Sequence, residues 1–79
     1  MDNREVRLTR CFATLFPDLT PPEVRLASMS SVAAWDSVAT VTLINLVEEE
    51  FGIQVGLEEV EQLVSFQEFL RYLQERTPA

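Results

Sequence analysis

The sequence DSVATVTLINLVEEEFG, residues 36–52, decides the fold of this chain. Its apolar residues recur at the spacing of a helix, and a helical wheel collects them on one side. Gly52 is well suited to end the helix, because glycine readily adopts the left-handed conformation common at such ends. The stretch therefore predicts one long helix whose core face consists of Ala39, Leu43, Ile44, Leu46, Val47 and Phe51.

The opposite side of this helix is polar and is expected to face solvent. Its polar residues are Thr42, Asn45, Glu48 and Glu49. Val38 and Val41 fall on the same side, close to the start of the helix. Two interpretations stay open: the valines form part of a docking surface, or the preceding loop covers them.

A first helix is predicted ahead of the long one, from about Arg4 to Phe16. Asp2 or Asn3 can cap its start, and Pro17 is expected to end it because proline has no backbone N–H to donate. The spacing i, i+3, i+4, i+7 gives it one apolar face. That face consists of Leu8, Cys11, Phe12 and Leu15.

A long connection from Pro17 to about Trp35 joins these two helices. Pro17, Pro21 and Pro22 argue against a regular helix in its first part. Connections of this length are uncommon in small domains and are often functional. The residues expected to pin it to the core are Val24, Leu26, Met29 and Val32.

Two shorter helices are predicted after the long one. A short extended piece with Ile53 and Val55 leads to a helix from Glu58 to about Leu63. The last helix runs from Ser65 to about Arg76, opened by a Ser65–Glu68 capping box, and 77–79 are expected to fray. Val60, Leu63 and Val64 are expected to face inward. The predicted fold is an all-α four-helix bundle with a long first loop and a short third helix.

Composition restricts the class of protein. A chain of 79 residues is expected to form one domain, 1–79. Thirteen acids, six basic residues and no histidine give a net charge of −7. This negative surface repels phosphate groups. Nucleic acid and anionic membranes are therefore poor partners, and basic protein surfaces are favoured. One cysteine allows no intrachain disulfide. Without an evident leader or membrane span, a cytoplasmic monomer is expected.

The charges are also unevenly placed along the chain. Residues 26–70 contain eight acids and no basic residue. All six arginines lie outside this span, at positions 4, 7, 10, 25, 71 and 76. We therefore expect the central part of the chain to present a negative field.

Asp36 and Ser37 stand at the start of the long helix. Both are common N-cap residues, and capping alone would explain them. A serine at this position also exposes its hydroxyl where backbone N–H groups and the helix dipole favour an anion. It is not a hydrolytic nucleophile of the ordinary kind, because the chain has no histidine or lysine to act as its base.

The ordered set of residues resembles the core of acyl carrier proteins. In that family a D-S-L/M motif opens the second helix, an E-E-x-F ending closes it, and an extended apolar pair follows. Here these elements are Asp36-Ser37-Val38, the run Glu48-Glu49-Glu50-Phe51, and Ile53 with Val55. The similarity covers residues 26–73, and the first helix by pattern and spacing alone.

The resemblance implies a carrier rather than an enzyme. Ser37 would hold 4′-phosphopantetheine, installed from coenzyme A by a phosphopantetheinyl transferase, and Asp36 would position the transferase and its metal. The arm's thiol would hold an acyl, polyketide or aminoacyl group for fatty acid or related biosynthesis. Acyl-transfer, condensing or ligase enzymes with basic docking patches would be the partners. The expected partner-binding residues are Val38, Val41, Thr42, Asn45, Glu48 and Glu49.

Several residues depart from the family's pattern. Ala34 stands where the family usually has glycine, and Trp35 stands where a small residue is common. Together with Val38 and Val41, Trp35 is expected to influence partner choice. Fatty-acid carriers have acids at the positions of Ala39 and Thr42. Glu48–Glu50 lie about 16–20 Å along the helix from Ser37. We infer a specialised carrier, in which Ala39→Asp and Thr42→Glu would raise association rates with basic partners.

An alternative from a different class is an unmodified helical interaction module. In that case Asp36-Ser37 would act only as a helix cap, and the partner would contact Val38, Val41 and the acidic stripe. A small hydrolase is the weakest hypothesis, because histidine and lysine are both absent.

Overall fold

The structure, a computed structural model, describes residues 3–76. Within this range the chain forms five helices and no strand, and one isolated antiparallel bridge joins Ser28 and Ser65. The helices are α1 Asn3–Leu15, α2 Pro21–Arg25, α3 Ser37–Phe51, α4 Leu57–Val60 and α5 Phe66–Arg76. The all-α bundle is confirmed, and α2 is an addition to the four predicted helices.

Two predictions about the chain ends are not tested. Asp2, a candidate cap of α1, and residues 77–79, expected to fray, lie outside the described residues. The other candidate cap, Asn3, is the first residue of α1. None of the helices in residues 3–76 has the length and apolarity needed to cross a bilayer.

An aromatic cluster centred on Phe12 of α1 forms the core. Its ring lies edge-on to Trp35, Phe66 and Phe69 at centroid distances of 5.4, 5.2 and 5.6 Å. Phe16 completes the cluster at 6.3 Å from Phe12. All five rings are buried, and edge-to-face pairs add stability beyond the burial of their area. The cluster joins α1, α5 and the segment just before α3.

The first part of the long loop contains the helix α2, so the prediction that its prolines exclude a helix is wrong. Pro21 and Pro22 occupy the first turn, where backbone N–H groups need no helical partner. Thr20 caps this turn: its hydroxyl accepts from Glu23 N–H at 3.4 Å, and its own N–H donates to Glu23 Oε1 at 2.8 Å. The same residues that break a helix interior therefore begin this one.

The second part of the loop is fastened to the start of α5. Met29 N–H donates to Val64 O at 2.9 Å, and Phe66 N–H donates to Ala27 O at 3.0 Å. Val24 is buried, and Met29 and Val32 are half-buried, as expected. Leu26 is 81% exposed, contrary to the prediction, and Ala27 fills the buried position in its place.

The region around α4 is shorter and less regular than predicted. Leu63 is buried and Val60 half-buried, but Val64 is 42% exposed, so the inward orientation predicted for it is wrong. The reason is the bond from Met29 N–H, which the Val64 carbonyl accepts in a two-residue pairing with the loop. Ile53 and Val55 pack against the core and pair with no strand among residues 3–76.

One carboxylate, that of Glu59, fastens α4 to α5. It accepts from the Tyr72 hydroxyl at 2.6 Å and from Gly56 N–H at 3.3 Å, and it pairs with Arg76. The Tyr72 hydrogen bond is the main cause that lowers the pKa of Glu59. Burial, followed by this bond, raises the pKa of Tyr72 to about 12.

One of the two hydrogen bonds of the capping box predicted for the last helix is present. Ser65 Oγ accepts from Glu68 N–H at 3.1 Å. The Glu68 carboxylate pairs with Arg71 instead of returning to Ser65 N–H. A single cap bond is enough to begin α5 at Phe66.

Gly52 ends α3 in the left-handed conformation, with φ 66° and ψ 36°. No atom of residues 3–76 lies within 4 Å of the position that a Cβ would take, so the cost of a side chain there is conformational. Gly52→Ala is expected to lower the free energy of unfolding by about 1–2 kcal/mol. Urea unfolding would measure this. Gly52→Asn should cost clearly less, since asparagine tolerates this conformation; equal losses would contradict the account.

Candidate functional site

The start of α3 is organised by Asp36. Its Oδ1 accepts from Ala39 N–H at 2.8 Å, and its carbonyl accepts the first helical bond from Thr40 N–H at 3.0 Å. Asp36 is therefore the N-cap and Ser37 is the first helical residue. The interpretation that both residues act as caps is wrong for Ser37.

Ser37 presents an exposed side chain at the end of a 15-residue helix. Within residues 3–76, no hydrogen bond engages its hydroxyl. The first backbone N–H groups of a helix lack helical acceptors, and the dipole is positive there. An esterified phosphate at this hydroxyl would therefore meet favourable electrostatics and no steric burial.

Trp35 and Thr40 hold this end of the helix in place. Trp35 Nε1 donates to Thr40 Oγ1 at 2.8 Å, and Thr40 Oγ1 donates to the Asp36 carbonyl at 3.1 Å. Trp35 is 2% exposed and lies in the aromatic cluster, so its side chain does not reach a partner directly, and the influence on partner choice expected of it would have to act through the packing of this helix end. These two hydrogen bonds thus connect the aromatic core directly to Asp36, the residue before Ser37.

Sequence reasoning missed Thr40 as a buried residue of this site. A signal was present, because a buried tryptophan N–H requires an acceptor and Thr40 is the polar residue one helical turn past Asp36. The loop conformation decides which polar neighbour accepts the bond, and the sequence pattern does not reveal that conformation.

The exposed side of α3 forms a continuous stripe that we call the outer face: Ser37, Val38, Val41, Thr42, Asn45 and Glu49. Val38 is 74% and Val41 56% exposed, so the loop does not cover them. The opposite face is the core face predicted from the wheel, with Leu46 and Phe51 half-buried. Ala39 belongs to that buried side, and an aspartate introduced there would lose hydration.

Two of the three acids near the end of α3 are engaged within the chain. Glu48 is half-buried and accepts from Val55 N–H at 2.9 Å, so it is not a fully solvent-facing residue as predicted. Arg7 Nε contacts Glu50 Oε2 at 2.6 Å, and its guanidinium lies 4.4 Å from the Phe51 ring centroid. Glu49 is exposed and forms no ion pair within residues 3–76.

The negative field predicted for residues 26–70 is therefore partly neutralised. Arginines from outside the span pair with its acids: Arg7 with Glu50, Arg76 with Glu59, and Arg71 with Glu68 one turn away on α5. Each pair is partly solvent-exposed and contributes little stability. The pairs matter for recognition instead, because a partner meets fewer unpaired carboxylates than the sequence suggests.

Other ionisable groups do not form a reactive site. Cys11 is buried in the core face of α1, and burial raises the pKa of its thiol, which makes a thiolate nucleophile unfavourable. Among residues 3–76 no three acidic or cysteine side chains lie close enough to hold a metal ion. The chemistry available at the start of α3 is that of an exposed hydroxyl beside a capping carboxylate.

Comparison with known families identifies the family of the chain. Residues 18–73 match the family described as phosphopantetheine attachment site. The chain belongs to this family, that of acyl carrier proteins, whose domain is the site of covalent 4′-phosphopantetheine attachment. Domains of this kind are typically non-catalytic and interact with transferases and biosynthetic enzymes. A comparison with curated proteins finds no match.

Proposed function

We propose that Ser37 is the attachment residue and that the protein carries acyl, polyketide or aminoacyl intermediates between enzymes without catalysing a reaction itself. The observation that supports this most directly is the exposed Ser37 hydroxyl, which takes no part in the cap or in any hydrogen bond within residues 3–76. When attached, 4′-phosphopantetheine supplies a terminal thiol that holds the cargo as a thioester.

The chain's residues prepare this serine for modification by another protein. In the transfer, Ser37 Oγ replaces the nucleotide half of coenzyme A at phosphorus. The hydroxyl proton leaves to a base of the transferase, because the chain has no histidine or lysine. The N-terminal N–H groups of α3 then favour the phosphodiester anion.

Asp36 has two separable roles in this proposal, as helix cap and as a negative group for the transferase and its metal. Asp36→Asn should keep the free energy of unfolding within about 0.5 kcal/mol, since asparagine caps as well as aspartate, whereas Asp36→Ala should lose about 1 kcal/mol. Both variants should be modified more slowly than the wild type. If Asp36→Asn is modified at the wild-type rate, the charge has no role.

Intact mass spectrometry tests the proposal. The purified chain is incubated with coenzyme A, Mg²⁺ and a broad-specificity phosphopantetheinyl transferase. A gain of one phosphopantetheine is expected. An unchanged mass would instead support the alternative, an unmodified helical interaction module that binds through the outer face of α3. That alternative accounts for Asp36 as a cap but gives Ser37 no role, because Ser37 does not cap the helix.

A further inference from the structure

The outer face of α3 identifies the chemistry of the enzymes that this carrier serves. We propose that it docks into an uncharged, apolar depression on its partner enzyme rather than onto a basic patch. This proposal rests on the proposed function, because the outer face begins at Ser37 and any enzyme acting on the arm must approach it there.

The part of the outer face nearest Ser37 is apolar and open. Val38 and Val41, three residues apart, are neighbours on the helix surface, and both are more than half exposed. Thr42 follows, and its hydroxyl donates to the Val38 carbonyl at 3.2 Å, so its donor is satisfied inside the helix. Asn45 continues the face without a charge. Four successive exposed positions therefore offer no ionised group.

Apart from Asp36, the carboxylates on α3 that could attract a basic partner are either engaged or distant from Ser37. Arg7 neutralises Glu50, and the Val55 N–H engages Glu48. Glu49 is the carboxylate of the outer face that remains without an ion pair, about 18 Å along the helix from Ser37. Asp36, beside Ser37, has one oxygen engaged as the helix cap.

Charge complementarity therefore argues for an apolar partner. Lysine or arginine side chains placed against Val38 and Val41 would lose hydration without gaining a counter-ion. An apolar surface would gain from the area that both partners bury. A second copy of this chain also has an apolar patch, but a net charge of −7 on each copy opposes self-association.

The test compares two phosphopantetheinyl transferases, one with an apolar carrier-docking face and one with a basic face, using coenzyme A and the full chain. We expect kcat/KM to be higher with the apolar enzyme and to change by less than about twofold between low and high salt. Val41→Ser should lower kcat/KM with that enzyme about tenfold, mainly through KM. Thr42→Glu should raise kcat/KM with the basic enzyme at low salt.

Val6→Ser is the matched control, because Val6 is a 44% exposed valine on α1, away from the outer face. It should leave kcat/KM unchanged, and both serine variants should melt close to the wild type. The proposal is overturned if Val41→Ser and Val6→Ser behave alike, if the basic enzyme is preferred with a steep salt dependence, or if the face binds a second copy. Failure of the proposed function is distinct, since then neither enzyme modifies the wild-type chain.

Discussion

Ser37→Ala is expected to abolish the gain of phosphopantetheine while leaving the fold intact. The hydroxyl is the proposed acceptor, and alanine provides no oxygen in its place. The free energy of unfolding should stay within about 0.5 kcal/mol of the wild type, because the Ser37 side chain is exposed and makes no hydrogen bond within residues 3–76. Intact mass and urea unfolding, measured on the same preparation, check both parts.

The matched control for this variant is Ser30→Ala, which removes another exposed serine hydroxyl from the loop before α3. It should be modified at the wild-type rate. The stability measurement checks that Ser37 is not the cap of α3, because removal of a true serine cap costs about 1 kcal/mol. A stable, fully modified Ser37→Ala protein would refute the assignment of Ser37.

Phe12→Ala is expected to have the largest effect on stability. The ring contacts four other aromatic rings and is fully buried. Truncation of a buried phenylalanine costs about 3–5 kcal/mol, whereas the free energy of unfolding of a folded chain of 79 residues is about 4–12 kcal/mol. The variant should be partly or wholly unfolded at 37 °C, as far-UV circular dichroism and thermal melting would show.

Phe51→Ala provides the comparison for this variant, because its ring is half-buried at the end of α3 and lies under Arg7. It deletes the same atoms but should cost clearly less, since part of the ring is already in water. Similar losses for the two variants would show that the aromatic cluster is not the main source of stability.

The bounds and faces of α3 are predictable because every signal for them is local. Asp36 before the apolar run and Gly52 after it mark the two ends, and the 3.6-residue period separates Leu43 from Asn45. The position of Ser37 at the helix start follows from the same signals. The same signals do not show which of these two adjacent residues is the cap, since aspartate and serine are equally good caps.

The loop before α3 was predictable only in part, because its contacts are with residues distant in sequence. Whether Leu26 or Ala27 is buried depends on the pairing of Ala27 with Phe66. The same pairing turns Val64 outward. The helix α2 escapes prediction for another reason: proline breaks a helix interior, whereas here Thr20 and Glu23 supply the capping box that makes a proline start favourable.

The charge of the site was the least predictable property. The sequence shows eight acids without a base between residues 26 and 70, but three of them are paired with arginines from the two ends of the chain. Two of these pairs, Arg7–Glu50 and Arg76–Glu59, form across the tertiary structure, so no local pattern reveals them, whereas Arg71 and Glu68 are one turn apart on α5. They lower the number of unpaired carboxylates, in line with the apolar partner that we propose.

Localisation of the attached group tests the central claim most directly. Trypsin should release residues 26–71 as one fragment, because this span has arginine only at its last position. The fragment contains Ser28, Ser30, Ser31, Ser37 and Ser65, and gas-phase fragmentation separates them. We expect all of the phosphopantetheine on Ser37. Attachment to any other serine, or a fragment of unmodified mass after transferase treatment, would contradict the account.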